Sequence, residues 1–129
     1  MELIRGLHCI RSHHKGNVVT IGNFDGVHHG HRMVLAHLNA KRDELRVPSL
    51  IMTFEPQPRE FFRGVTVPAR LTRFREKMTL FREAGVDRVL CIPFNERTAQ
   101  MPPSFVVKDI LKDRLGTNYI VVGDDFRFG

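Results

Sequence analysis

Only two cysteines, Cys9 and Cys91, occur in this chain. They lie far apart and in no metal-binding or redox spacing, so a disulfide-stapled scaffold and a cysteine-rich zinc module are excluded. Reduced thiols and a cytoplasmic home are expected. No stretch approaches the roughly 18 consecutive apolar residues of a membrane-spanning helix. The opening residues Met1 to Gly6 lack the layout of a secretory signal. There is no internal repeat and no low-complexity segment, which argues against a solenoid or a disordered linker.

What is present fits one globular domain. The 129 residues are 42% hydrophobic and 26% charged, enough to bury a core without staples. The net charge of +6 and a pI near 10.0 favour anionic partners, either nucleotides or nucleic acid. Arg70, Arg73, Arg75 and Lys77 form the densest basic group, interrupted by Phe74 and Met78. At helical spacing this reads as a solvated face beside an apolar stripe, or as a basic contact surface.

Four apolar runs read as strands: Val18 to Ile21, Leu50 to Phe54, Arg88 to Ile92 and Tyr119 to Val122. They are nearly continuous, as expected of parallel strands buried on both faces, and recur about every 30 residues. Helical patterns fill the gaps. Val34, Leu35, Leu38 and Leu45 share a face before a stop at Pro48. Thr72 is the expected N-cap of a second helix, with Phe74, Met78 and Phe81 on its stripe and Gly85 at its end. Pro102 and Pro103 precede a third, in which Val107, Leu111 and Leu115 recur until Gly116. The alternation predicts an α/β fold, a Rossmann-like three-layer sandwich with a parallel sheet of at least four strands and right-handed crossovers.

The segment Gly22-Asn23-Phe24-Asp25-Gly26-Val27-His28-His29-Gly30-His31 joins the first of these strands to the first helix. Glycines let backbone amides approach an anion, and a helix N-terminus adds partial positive charge. Imidazoles can donate to phosphate oxygens. His28 and His31 therefore read as phosphate ligands in nucleotidyl transfer, as part of a metal site completed by carboxylates, or as incidental histidines on a structural turn. His8, His13, His14 and His37 are expected at solvent or on a helix surface. The proline-rich stretch Glu55 to Ala69 is a candidate binding loop, or a surface loop tucking Phe61 and Phe62 into the core. Asp124 and Asp125 read as contacts to ribose, as magnesium organisers, or as a turn. Arg127 faces phosphate or solvent.

With Val19, Thr20 and Ile21 in front, the Gly22–His31 segment resembles the signature of the HxGH nucleotidyltransferases. More narrowly, it is similar to the adenylyltransferase module of the bacterial bifunctional riboflavin kinase/FAD synthetase family. Three further segments carry the same resemblance. They are Met52-Thr53-Phe54-Glu55-Pro56-Gln57-Pro58-Arg59-Glu60-Phe61-Phe62, then Pro68-Ala69-Arg70-Leu71-Thr72 with Glu76-Lys77, and Val122-Gly123-Asp124-Asp125-Phe126-Arg127-Phe128-Gly129. The resemblance implies transfer of AMP from ATP to FMN, giving FAD and pyrophosphate, with Mg2+. It implies His28 and His31 as catalytic residues. ATP would contact Gly22, Asn23, Phe24, Asp25, Gly26, His28, Gly30 and His31. Flavin would contact Glu55, Pro56, Gln57, Pro58, Phe62, Asp125 and Phe126. No nucleic-acid or membrane partner is implied.

The chain carries no counterpart of the family's later Ser/Thr/Arg motif or of its kinase module. Residues 1–129 therefore read as one incomplete nucleotidyltransferase domain, expected to be covalently linked to a riboflavin kinase domain in the full-length protein. Two other readings stay open: an HxGH enzyme with a different acceptor, and a non-catalytic nucleotide- or flavin-binding fragment.

Overall fold

Long runs of Val, Ile and Leu stabilise strands that are covered on both faces, and the helical stripes between them supply the covers. The computed structural model describes residues 1–24, 29–55 and 67–123, and of 29–30 and 67–72 the backbone alone. In chain order the main elements, leaving aside short helical turns at Leu7–Cys9, Ser12–His14 and Glu96–Ala99, are β1 (Glu2–Arg5), β2 (Asn17–Ile21), α1 (His29–Leu45), β3 (Ser49–Phe54), α2 (Val67–Glu83), β4 (Arg88–Ile92), α3 and β5 (Thr117–Val121). The helix α3 opens as Pro103–Phe105 and continues as a π-helical stretch, Val106–Arg114. The strands form one parallel sheet in the order β1-β4-β3-β2-β5.

This order positions the site. From β2 the chain steps outward through β3 to β4, then returns to the other side of β2 as β5. Right-handed crossovers that reverse direction must put their helices on opposite faces. Accordingly Leu35 and Leu38 of α1 and Phe81 of α2 pack with Val18, Ile51, Val89 and Val121 on one face. Val106, Ile110 and Leu111 of α3, with Leu115, pack with Val19, Ile21, Leu50, Met52, Leu90 and Ile92 on the other. The expected three-layer α/β architecture is observed, and the switch point lies at β2, between β3 and β5.

Several expectations need correction. A fifth strand, β1, was not foreseen, because Glu2-Leu3-Ile4-Arg5 is too short and too charged to stand out; among the described residues it pairs only with β4, at the sheet edge. Helix α2 begins at Val67, so Thr72 lies inside it and is no N-cap; proline in a first turn, here Pro68, is itself a start signal. Leu45 is exposed and lies off the buried face of α1. In α3 the five-residue hydrogen-bond span of π winding buries Val106, Ile110, Leu111 and Leu115, and turns Val107 outward to 48% exposure. The fourth expected strand is not buried on both faces: Tyr119 and Ile120 are exposed, since β5 is the other edge.

The stops are as read. Arg46, with φ 57, takes the left-handed conformation two residues before Pro48, and Gly85, with φ 84, follows α2. At the amino end of β2, buried Asn17 donates to the carbonyls of His14 and Leu115 and accepts from the Arg88 guanidinium at 2.9 Å. Thr20, in the middle of the sheet, differs: its buried Oγ1 has no hydrogen-bond partner. An unpaired buried hydroxyl is costly, and valine has the same shape without it. Thr20→Val is therefore expected to raise stability by about 1 kcal/mol, read as a rise of a few degrees in Tm. A lower Tm would show that the hydroxyl has a partner.

Candidate functional site

The carboxyl ends of the parallel strands share one rim, and β2 sits there between β3 and β5. Gly22, Asn23 and Phe24 leave β2 at the switch point, where a doubly wound sheet opens a crevice. The turn is still tied to its neighbour: the Gly22 N–H donates to the Met52 carbonyl of β3 at 3.1 Å. Asn23 is exposed. Phe24 turns inward, buried, with φ 53. A bulky residue in the left-handed region costs on the order of 1–2 kcal/mol and persists only where packing imposes it.

That packing is visible. The Phe24 ring meets Phe81 of α2 edge-on, with centroids 5.2 Å apart, and lies 5.1 Å from the imidazole of His31. A Cβ on Gly22 would sit 3.0 Å from Phe24 Cε2, so a side chain at residue 22 would press on the ring and shift it by a few tenths of an ångström. The core of the α1/α2 face thus reaches through Phe24 to His31, half-buried in the first turn of α1. The helix N-terminus lies at the same rim, the end at which anions are stabilised.

Of the other ATP-side residues, Asp25, Gly26 and His28 lie outside the described residues, and Gly30 is described only as helical backbone. On the flavin side Glu55 is described. Pro56, Gln57, Pro58, Phe62, Asp125 and Phe126 lie outside, as do Phe61, Asp124 and Arg127. The topology nevertheless brings the three segments to one rim. Glu55 directly follows β3, and Val122-Gly123 follow β5, on either side of the turn after β2.

One participant was misread. Lys77 does not belong to a solvated basic face: its side chain is 4% exposed, and Nζ lies 3.3 Å from Glu55 Oε2, itself 16% exposed. The signal was present, since Lys77 stands three residues after Phe74 and four before Phe81, on the apolar stripe. Beside this pair the buried Cys91 thiol is pushed up to about 11, by burial first and then by the Glu55 charge, with Lys77 and Arg5 opposing. Such a thiol is inert at neutral pH. Arg5 closes the cluster with its guanidinium 5.1 Å from the Phe74 ring centroid.

The opposite rim holds the other polar cluster. His14 was expected at solvent and is buried, with Nε2 2.8 Å from Glu2 Oε2; His8, His13 and His37 are exposed as expected. The hydrogen bond from His14 holds the Glu2 carboxyl below its ordinary range, against the opposing effect of burial. Glu2, His13 and His14 have the spacing of a metal trio. However, His14 Nδ1 accepts the Arg11 backbone N–H at 2.8 Å, so the ring proton sits on Nε2 and faces Glu2. Ligation through Nε2 would move that proton to Nδ1, against the Arg11 N–H, and the trio is a poor cation site. A cleft of about 530 Å³ on the same rim includes Arg42, Arg46 and Arg88. Arg42 and Arg88 are already engaged as braces, by the Gly85 carbonyl and by Asn17.

Among the described residues no helix is long and apolar enough to cross a membrane. In fold, the chain resembles a crystal structure titled as a macrolide-efflux protein from Streptococcus pneumoniae. The TM-score is 0.78 at 22% identity, covering 100% of this chain and 50% of that one, a likeness of architecture alone. The bifunctional riboflavin kinase/FMN adenylyltransferase of Pseudomonas fluorescens is 54% identical over 129 residues, 100% of this chain and 41% of that protein. The proteins of the same name from Escherichia coli K12 and Haemophilus influenzae are 47% and 44% identical, each with 100% of this chain and 42% of theirs aligned. The chain therefore spans about two fifths of the length of these relatives. The model of the FAD synthetase family matches residues 10–129. With a parallel sheet whose switch point carries the glycine- and histidine-rich turn, this chain belongs to the FAD synthetase family.

Proposed function

We propose that this chain transfers the AMP part of ATP to FMN, giving FAD and pyrophosphate. The observation that carries the reading is the placement of the Gly22–His31 turn at the switch point, with Phe24 strained inward against His31. Family membership and the names of the relatives support the choice of substrates.

In this reading the terminal phosphate of FMN attacks the α-phosphorus of ATP and pyrophosphate leaves. The attacking oxygen is already anionic, so positioning and charge neutralisation supply most of the rate. His28 and His31 donate to the phosphates, the His31 ring held by Phe24. Gly22, Asn23, Phe24 and Asp25 form the wall around the nucleotide, and Gly26 and Gly30 let the backbone close on its phosphates. Glu55, Pro56, Gln57, Pro58 and Phe62 line the flavin side from β3. Asp125 and Phe126 line it from β5, beside Asp124.

Mg2+ offsets charge between the two anionic substrates when bound. Carboxylates are the donors it prefers, and Asp25, Asp124 and Asp125 stand within four residues of the ends of β2 and β5 in sequence. The Glu2 trio on the opposite rim does not suit it. The basic balance of the chain serves anionic small molecules, and its free thiols suit the cytoplasm. A riboflavin kinase domain linked to this one, as the relatives' bifunctional name has it, would supply FMN.

Incubating the full-length gene product with FMN, ATP and magnesium, followed by chromatography, tests the reading. FAD and pyrophosphate are expected, with no comparable product from CTP or from pantetheine phosphate. A folded protein that makes no FAD would leave another acceptor or a binding role.

A further inference from the structure

The pair Lys77–Glu55 has no part in the chemistry above, yet it sits where β3 delivers the chain to the flavin side. Glu55 is held through its backbone and through its side chain. Its backbone N–H donates to the Ile92 carbonyl of β4 at 3.0 Å, and its carboxylate meets Lys77 Nζ of α2 at 3.3 Å. The ammonium reaches it from within the stripe of Phe74, Met78 and Phe81, beneath which Cys91 and Thr53 pair across β4 and β3.

A buried ion pair is a poor device for stability, because desolvating two charges offsets most of their attraction. A methionine on the stripe would cover the sheet as well. What an ion pair adds is direction: the carboxylate is drawn towards the Lys77 ammonium. The high-lying Cys91 thiol is a second sign that the Glu55 charge is fixed in a poorly solvated spot.

We propose that Lys77 is a positioning residue for the flavin side of the site, fixing Glu55 at the carboxyl end of β3 and so setting the affinity for FMN without touching ATP. The inference rests on the FMN adenylyltransferase reading. ATP is assigned to the turn after β2 and FMN to the segment that Glu55 opens after β3, so loss of the pair should separate the two substrates.

Steady-state FAD formation by the full-length protein decides it, comparing wild type with Lys77→Met, Lys77→Arg and Glu55→Gln. Lys77→Met is expected to raise the KM for FMN about tenfold, with the KM for ATP and kcat within about threefold of wild type. Lys77→Arg, which keeps the charge, should recover most of the loss. Glu55→Gln, nearly isosteric, should repeat the FMN effect and covers the case in which Lys77→Met folds poorly. Wild-type activity with an unchanged KM for FMN in Lys77→Met overturns the positioning role alone. So does an equal rise for both substrates, or a fall in Tm that Lys77→Arg does not recover. Absence of FAD from wild type overturns the adenylyltransferase reading and this inference with it.

Discussion

Replacing His31 by alanine is expected to lower the rate of FAD formation by about a hundred- to a thousandfold, with little change in Tm. Its imidazole is half-buried in the first turn of α1 and rests 5.1 Å from the Phe24 ring. A half-buried side chain can be lost without unfolding, while under the proposed role a donor aimed at developing phosphate charge is not replaced by water in the same geometry. The loss should appear in kcat more than in either KM, because charge on the transferred group grows only as the transition state forms. His31→Gln, which keeps a donor, should fall between. Chromatography of product against time, with a thermal melt of each variant, checks it. A rate that survives in His31→Ala would remove His31 from the catalytic group.

The second large effect is expected from a residue that touches no substrate. Phe81 is fully buried and meets Phe24 edge-on at 5.2 Å. Phe81→Ala should cost about 3–5 kcal/mol, through lost burial and the cavity left behind. Below its melting temperature it should also lose activity, since Phe24 keeps its left-handed backbone only while packing holds the ring inward. Ile110→Ala is the control, since Ile110 is equally buried on the opposite face of the sheet. Both variants should lower Tm by roughly ten degrees or more. Only Phe81→Ala should lose specific activity well below its melt. Equal specific activities would mean that the turn holds its shape without Phe81.

The two variants also mark how far the sequence could be read. The four central apolar runs and the helices between them were legible because their periodicity follows from burial, which is local in sequence and strong. Strand β1 was not legible, since Glu2-Leu3-Ile4-Arg5 becomes a strand only because β4 offers an edge. In α3 a four-residue period was read where winding is wider, so Val107 was placed inside and Val106 left out. The Gly22–His31 segment was visible as a motif, but not the inward rotation of Phe24, which packs on Phe81 some 57 residues further on. His14 and Lys77 failed for one reason: titratable side chains were assigned to solvent. Their partners, Glu2 at 12 residues' separation and Glu55 at 22, come near only through the fold.

The placement of β5 has a consequence for how the molecule comes into being. Val18 pairs with Ser49 on one side and with Tyr119 on the other, about a hundred residues downstream. At about 5–20 residues per second, a ribosome would deliver that second neighbour roughly 5–20 s after β2 itself. In the interval β2, β3 and β4 can assemble with α1 and α2, so the half of the rim at Glu55 forms early. The half contributed by β5 must close a long loop before it contributes any contact, a slow step of high contact order. A nascent chain should therefore complete one side of the proposed site before the other.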